Sequence, residues 1–232
     1  MKTSIKFLFL PLFFFCLQNI LSLEIEITDK GVEAYLGGNY TRGSNLMAEL
    51  SAAGGIELNK IIGFRCGLSV GRTLIDTEIN TFLTVNYSPF SKVPVIFSVS
   101  HIWNGLPEYE AHANTLLPYV SFKAKRAGIS LGANFRFTSY FREKAQFESV
   151  ISFYGYFNFI NNDKICFGLG AGNFNEFHAN NLGAIFVNLY ISIPLNNMIT
   201  LYNDIEYMQS GMDGLTATLY RTAFKTGVKI TW

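Results

Sequence analysis

The chain has 232 residues, a length that fits one domain. Charged residues make up 15%, against about 25% in an average soluble chain; aromatics reach 16%, and the 20 Gly and 6 Pro are scattered, which excludes disordered and collagen-like classes. The balance of 18 Lys and Arg against 17 Asp and Glu leaves no surplus of positive charge for phosphates, so nucleic acid is not an expected partner.

At the N-terminus Lys2 and Lys6 precede the apolar run Phe7 to Leu17, followed by Gln18, Asn19, the small Ser22 and then Glu24 and Glu26. That order predicts a secretory signal peptide over 1–22, cleaved after Ser22, and one mature domain over 23–232. The run is only 11 residues, whereas a membrane-spanning helix needs about 20. Bulky Phe15 argues against a lipoprotein cysteine at Cys16. Two cysteines, Cys66 and Cys166, remain after cleavage, too few for a disulfide scaffold. Alternation puts Cys66 on the apolar face of its strand and Cys166 on the opposite face, so both are predicted to be free structural thiols.

Beyond the signal, period 2 dominates. Leu23 to Thr28 reads as a short lead-in or an extension of the first strand. Ile62, Phe64, Cys66, Leu68 and Val70 then share one face. Farther on, Ile129, Leu131, Ala133, Phe135 and Phe137 oppose Gly128, Ser130, Gly132, Asn134 and Arg136. Ile151, Phe153, Gly155, Phe157 and Phe159 oppose Ser152, Tyr154, Tyr156 and Asn158, and Ile185 to Ile193 alternate with Phe186, Asn188, Tyr190 and Ser192. Tight breaks at Asn59-Lys60, Ser88 to Lys92, Ala124 to Arg126, Asn161 to Asp163 and Leu195 to Asn197 mark hairpin turns. Less regular stretches lie between them, at Thr41 to Asn45, Arg72 to Thr77, Asn104 to Ala113, Ser139 to Gln146, Asn173 to Asn181 and Gln209 to Gly214. Five short turns alternating with six loops predict an all-β, antiparallel up-and-down transmembrane barrel of about twelve strands, with both termini on the short-turn side. Weak patterning near 72–80 and 111–126 leaves ten or eight strands as alternatives.

A soluble sandwich would also alternate, but its polar faces would carry Lys, Glu and Thr toward water. Here they carry Gly63, Gly67 and Gly71, Gly128 and Gly132, and Gly168, Gly170 and Gly172, which suggests a curved, crowded surface with room for side chains from across a barrel. Tyr35, Tyr119, Tyr154, Tyr156, Tyr190 and Tyr202 are predicted to share that interior. The longest loops, about ten residues, are too short to fold inward as a large plug, so any closure is expected from side chains such as these tyrosines.

In the last strand Phe224, Thr226, Val228, Ile230 and Trp232 alternate back from a terminal aromatic. This strand, together with the signal peptide and the barrel pattern, resembles the C-terminal targeting strand of bacterial outer-membrane β-barrel proteins, with no single family singled out. The resemblance implies an outer-membrane location, lipid around the barrel and the barrel-assembly machinery as a partner during biogenesis.

With apolar faces toward lipid, strand charges face the lumen. Arg221, Lys225 and Lys229 then form a basic row on the last strand, flanked by Asp204 and Glu206 on the preceding strand and Glu33 on the first. This array reads either as a pore lining that selects a small polar solute or as a salt-bridge network holding the seam, because buried charges are expected to be paired. Glu49, Arg65, Glu78, Arg136 and Glu148 extend the predicted lining. No acid, base and nucleophile converge: His112 and His178 fall in predicted outer loops, His101 falls near a strand end, and Ser100 and His101 point to opposite faces. No cluster has metal-ligand spacing, so neither a cofactor nor a metal is expected. The leading expectation is a small passive or narrow substrate-selective channel; a plugged barrel acting through its outer loops and a lipid-modifying enzyme are the alternatives.

Overall fold

In the computed structural model the two unlike faces of each strand are resolved by closing the sheet on itself. The described residues are 27–41, 46–74, 76–90, 94–139, 144–210 and 219–232; the expected signal peptide and its cleavage point after Ser22 lie outside them. Among these residues twelve strands follow one another: β1 (Ile27–Thr41), β2 (Leu46–Leu58), β3 (Ile62–Arg72), β4 (Thr77–Tyr87), β5 (Val95–Leu106), β6 (Ala111–Lys123), β7 (Ala127–Ser139), β8 (Gln146–Asn161), β9 (Cys166–Gly172), β10 (Ala184–Pro194), β11 (Ile199–Ser210) and β12 (Leu219–Thr231). Each pairs antiparallel with its sequence neighbours, and β1 closes the ring on β12, with Gly31 opposite Thr231 and Thr41 opposite Arg221. No edge is left open, which is what a sheet in lipid requires. The count is twelve because β4 and β6, at the two weakly patterned segments, both form. The first segment, 72–80, holds the connection between β3 and β4, and the second is weak because β6 carries apolar residues on both faces: Leu117 is buried inside while Leu116 is exposed outside.

The five short turns lie where the breaks predicted them. Trp232 N–H donates to the Lys30 carbonyl at 3.0 Å, tying both ends of the described chain to the turn side. Ile27 and Thr28 belong to β1, so this part of the lead-in extends the first strand, while residues 23–26 lie outside the described residues. In the β2–β3 turn the Leu58 carbonyl accepts from Ile61 N–H at 2.9 Å, with φ of 52° at Asn59 and 56° at Lys60. Two left-handed residues make this a primed hairpin turn, for which Asn-Gly is the favoured pair. Lys60→Gly is therefore expected to stabilise the barrel by about 0.5–1 kcal/mol. Urea unfolding in detergent micelles reads this; an unchanged or lowered midpoint would refute it.

The burial pattern is inverted relative to a water-soluble protein. Leu36, Leu50 and Ile151 are exposed on the outside at 62%, 62% and 66%, in a surface that also carries Leu131, Val187 and Leu189. Glu33, Ser69, Asn80, Asn134 and Asp204 are buried inside. An apolar outer band around a polar interior needs hydrocarbon as its solvent. On β12, Phe224, Val228 and Ile230 are exposed outward, and Lys30 Nζ sits 5.4 Å from the ring centroid of Trp232 at the turn-side rim. Cys66 is exposed outward, whereas Cys166 lines the interior with its Sγ 3.4 Å from Asn158 Oδ1; both are free, as expected.

The lumen glycines make room for side chains on adjacent strands, aromatic at Gly67, Gly128, Gly132, Gly168 and Gly170, and not for side chains from across the barrel. A Cβ at Gly128 would meet the Tyr156 ring, its register partner, with the Tyr156 hydroxyl at 2.8 Å; one at Gly168 would lie 2.6 Å from the hydroxyl of Tyr190. These rings reach the glycines because strand neighbours are only about 5 Å apart, closer than any ring reaching across the lumen.

Candidate functional site

β9 is only 7 residues long, and the chain after it turns into the barrel. Asn173 ends the ladder by taking over its polar partners: its Oδ1 accepts from Phe153 N–H at 2.8 Å and its Nδ2 donates to the Ile151 carbonyl at 2.8 Å. Asn175 Oδ1 then accepts from the N–H groups of Phe177 and His178, both at 2.8 Å, in an Asx turn. Phe174 bridges Ala179 and Asn180 N–H returns to the Asn173 carbonyl at 2.7 Å, so residues 173–180 form a small hairpin inside the lumen. No large plug forms among the described residues, but the expectation that closure comes from side chains such as the interior tyrosines is overturned by this short inward hairpin. Side-chain amides of asparagine replace strand partners and give several of the hairpin's backbone groups a hydrogen bond inside the lumen.

Apolar contacts hold the hairpin. Phe174, Phe177 and Ala179 are buried against Ala53, Phe82, Ile102 and Leu117, which point into the lumen although the apolar faces were predicted to face only lipid. Phe177 meets Phe82 edge-on at 4.9 Å, and Phe174 lies 5.2 Å from Tyr119. Asn104 Nδ2 donates to the Phe177 carbonyl at 2.7 Å, Asn134 Nδ2 to that of Asn180 at 3.1 Å, and Arg136 Nη1 to that of Ala179 at 3.5 Å. His178, predicted in an outer loop, lies inside, with Nε2 3.4 Å from Glu78 Oε1.

The tip of the hairpin reaches β3, six strands from β9 and so on the opposite wall of the twelve-strand ring. There Arg65 makes two forked contacts. Nη1 and Nη2 donate to Glu33 Oε1 and Oε2, each at 2.9 Å, and Nε and Nη2 donate to Glu176 Oε1 and Oε2 at 2.6 and 2.9 Å. Glu33 is buried, also accepts from the Tyr35 hydroxyl, and has Lys229 Nζ at 3.5 Å. Lys225 reaches across β1 to Glu49 at 3.7 Å and sits 5.7 Å from the Phe177 ring centroid. Glu49 in turn accepts from Ser69 Oγ at 2.7 Å, and Asp204 accepts from Asn188 Nδ2 at 2.9 Å.

Between the hairpin and the short-turn mouth lies a cavity of about 1010 Å³. Of the predicted array, Glu33, Asp204, Glu206, Lys225, Lys229 and Arg65 line it, joined by Lys123 and by Glu176 of the hairpin. Glu78 and Arg136 bind the hairpin away from this cavity, and Glu148 is exposed near the loop-side rim, opposite Arg136 in register. Arg221 pairs in register with Thr41 and Met208; its side chain lies outside the described part of the structure. Ser100 is bonded to Thr84 inside the barrel while His101 is exposed outside, in the middle of β5 and not near its end, so the two do not meet. Sequence reasoning missed Glu176 and Phe177. Their signal is the pair of phenylalanines, Phe174 and Phe177, set among Asn173, Asn175 and Asn180, apolar rings that a solvated loop has no need of.

A second polar cluster lies outside the band, on the loop side. Glu108, in the 3-10 turn Pro107–Tyr109, accepts from Thr77 Oγ1 at 2.7 Å and Thr77 N–H at 3.0 Å and pairs with Arg72 at 2.9 Å. These hydrogen bonds, with the Arg72 charge behind them, hold its carboxyl down to about 2 from the ordinary 4.5. A depressed carboxylate stabilises the clasp above its ordinary value, and that stabilisation is lost as pH falls through the window from 4.5 toward 2. The Thr77 amide resonance should titrate near the lower limit; a midpoint at the ordinary carboxylate value would refute the clasp.

No protein-family model matches the sequence, and no curated protein matches it either. Solved structures do match in fold. The NanC porin shares 13% identity, covering 85% of this chain and 98% of that one, with a TM-score of 0.57. The translocator domain of the autotransporter NalP from Neisseria meningitidis shares 10% over 93% of this chain and 92% of that one, at 0.52. An outer-membrane channel from Pseudomonas putida F1 shares 8% over 90% and 97%, also at 0.52. The chain therefore has the fold of the bacterial outer-membrane β-barrels, and its apolar outer band fits it to that membrane.

Proposed function

We propose that the protein is a narrow passive channel for small polar solutes, with the hairpin 173–180 as its constriction. One observation carries this reading: the hairpin packs its apolar side on the walls of β2, β4, β5, β6 and β8 and leaves the cavity beside it lined by charges, tyrosines and hydroxyls. A lumen built only as structural filling has no need of a charged, roomy compartment reaching one mouth. Two of the three structural relatives named above are a porin and a channel, which supports the same class. The charged seam serves both roles, since Glu33 and Lys229 pair across β1 and β12 while facing the cavity.

The test is conductance in planar bilayers. Replacing residues 174–179 by Gly-Gly removes the crossing without touching a strand, so single-channel conductance should rise several-fold, because the narrowest section controls ion flow. Electrical silence of both the native and the shortened barrel, each shown folded by heat-modifiable migration, would sink the channel and favour a structural, plugged barrel.

A further inference from the structure

We infer that the Arg65 edge facing the cavity is a binding site for a solute carboxylate, and that Glu176 occupies it as a built-in competitor which the solute displaces. This rests on the channel reading and names the solute class. The two carboxylates on Arg65 are not equivalent. Glu33 is a wall residue at 8% exposure, braced by Tyr35 and Lys229, whereas Glu176 is 47% exposed and carried on a hairpin. Both make the planar two-bond match that a guanidinium offers a carboxylate, so the geometry accepted at the Nε and Nη2 edge is already displayed by Glu176.

Charge points the same way. Arg65, Lys123, Lys225 and Lys229 line the cavity together with Glu33, Glu176, Asp204 and Glu206, four against four. Of those four acids only Glu176 is not fixed to a strand. When it swings away one positive charge is left over, and one carboxylate from solution restores the balance. A half-buried guanidinium with one donor edge emptied favours an anionic replacement, so release of the tip and entry of a carboxylate are coupled. The guanidinium keeps its second fork on Glu33 throughout and stays oriented. Since Glu176 is one anchor of the hairpin tip on β3, its displacement loosens the constriction at the moment the solute arrives.

A tethered competitor acts at millimolar or higher effective concentration, so removing it should tighten binding of a free carboxylate by about tenfold or more. The probe is succinate, with neutral succinamide as control, titrated calorimetrically into the folded, detergent-solubilised barrel. Glu176→Gln should bind succinate at least about tenfold more tightly than the native protein, and Arg65→Lys, which keeps the charge but loses the fork, should lose that gain. In bilayers, succinate on the turn side should raise native conductance and leave Glu176→Gln, already released, unchanged. Equal affinity in native protein and Glu176→Gln, or succinamide binding as well as succinate, would overturn the inference. A shortened hairpin that conducts while Glu176→Gln binds no tighter refutes this site and leaves the channel standing. Silent barrels with tighter succinate binding in Glu176→Gln would refute the channel and keep the carboxylate site.

Discussion

Arg65→Ala should be among the most destabilising single substitutions in the lumen, by about 3–5 kcal/mol, the cost of removing one partner from a buried ion pair. The substitution leaves Glu33 buried with its two guanidinium bonds gone, and the remaining Lys229 contact, at 3.5 Å, is longer than either of them. It also cuts the tip of the hairpin from the wall. Equilibrium unfolding in urea gives the loss directly. Adding Glu33→Gln should recover most of it, since a neutral amide is far cheaper to bury than an unpaired carboxylate. A loss below about 1 kcal/mol, the level of an exposed pair, would mean that water in the lumen screens the pair and that the seam is not held by it.

Leu189→Arg should cost about 2–4 kcal/mol, the penalty for a charge at the middle of the lipid band. Leu189 stands halfway along β10, outward, between Leu169 and Ile205 in register. Leu195, just past the end of β10, is 58% exposed on the turn side, and the same change there should cost only about 0–1 kcal/mol because the side chain reaches the headgroups. The contrast between the two positions is the measurement that matters. Equal small losses at both sites would mean that the outer surface meets water, and the membrane barrel would fall with that result.

Much of the architecture was legible in the sequence because strand alternation is a local property. The faces of β3, β7, β8 and β10, the five turn sites and the opposite orientations of Cys66 and Cys166 all follow from period 2 and turn chemistry, needing no knowledge of distant residues. The interior charges were legible for the same reason: once Phe224, Val228 and Ile230 face lipid, Lys225 and Lys229 must face in. Inward apolar residues such as Ala53, Phe82, Ile102 and Leu117 break the pattern where they serve the hairpin.

The sequence by itself determined the closed up-and-down barrel, the positions of its turns and the inward direction of the polar strand residues, since each depends on neighbours along the chain. The tertiary structure alone decided that residues 173–180 cross the lumen, that Arg65 divides its fork between a wall acid and a loop acid, and that glycines serve adjacent tyrosines. Those outcomes depend on which strands stand opposite one another in the ring. That geometry exists only after closure brings β3 and β9, separated by some hundred residues, to face each other across one interior.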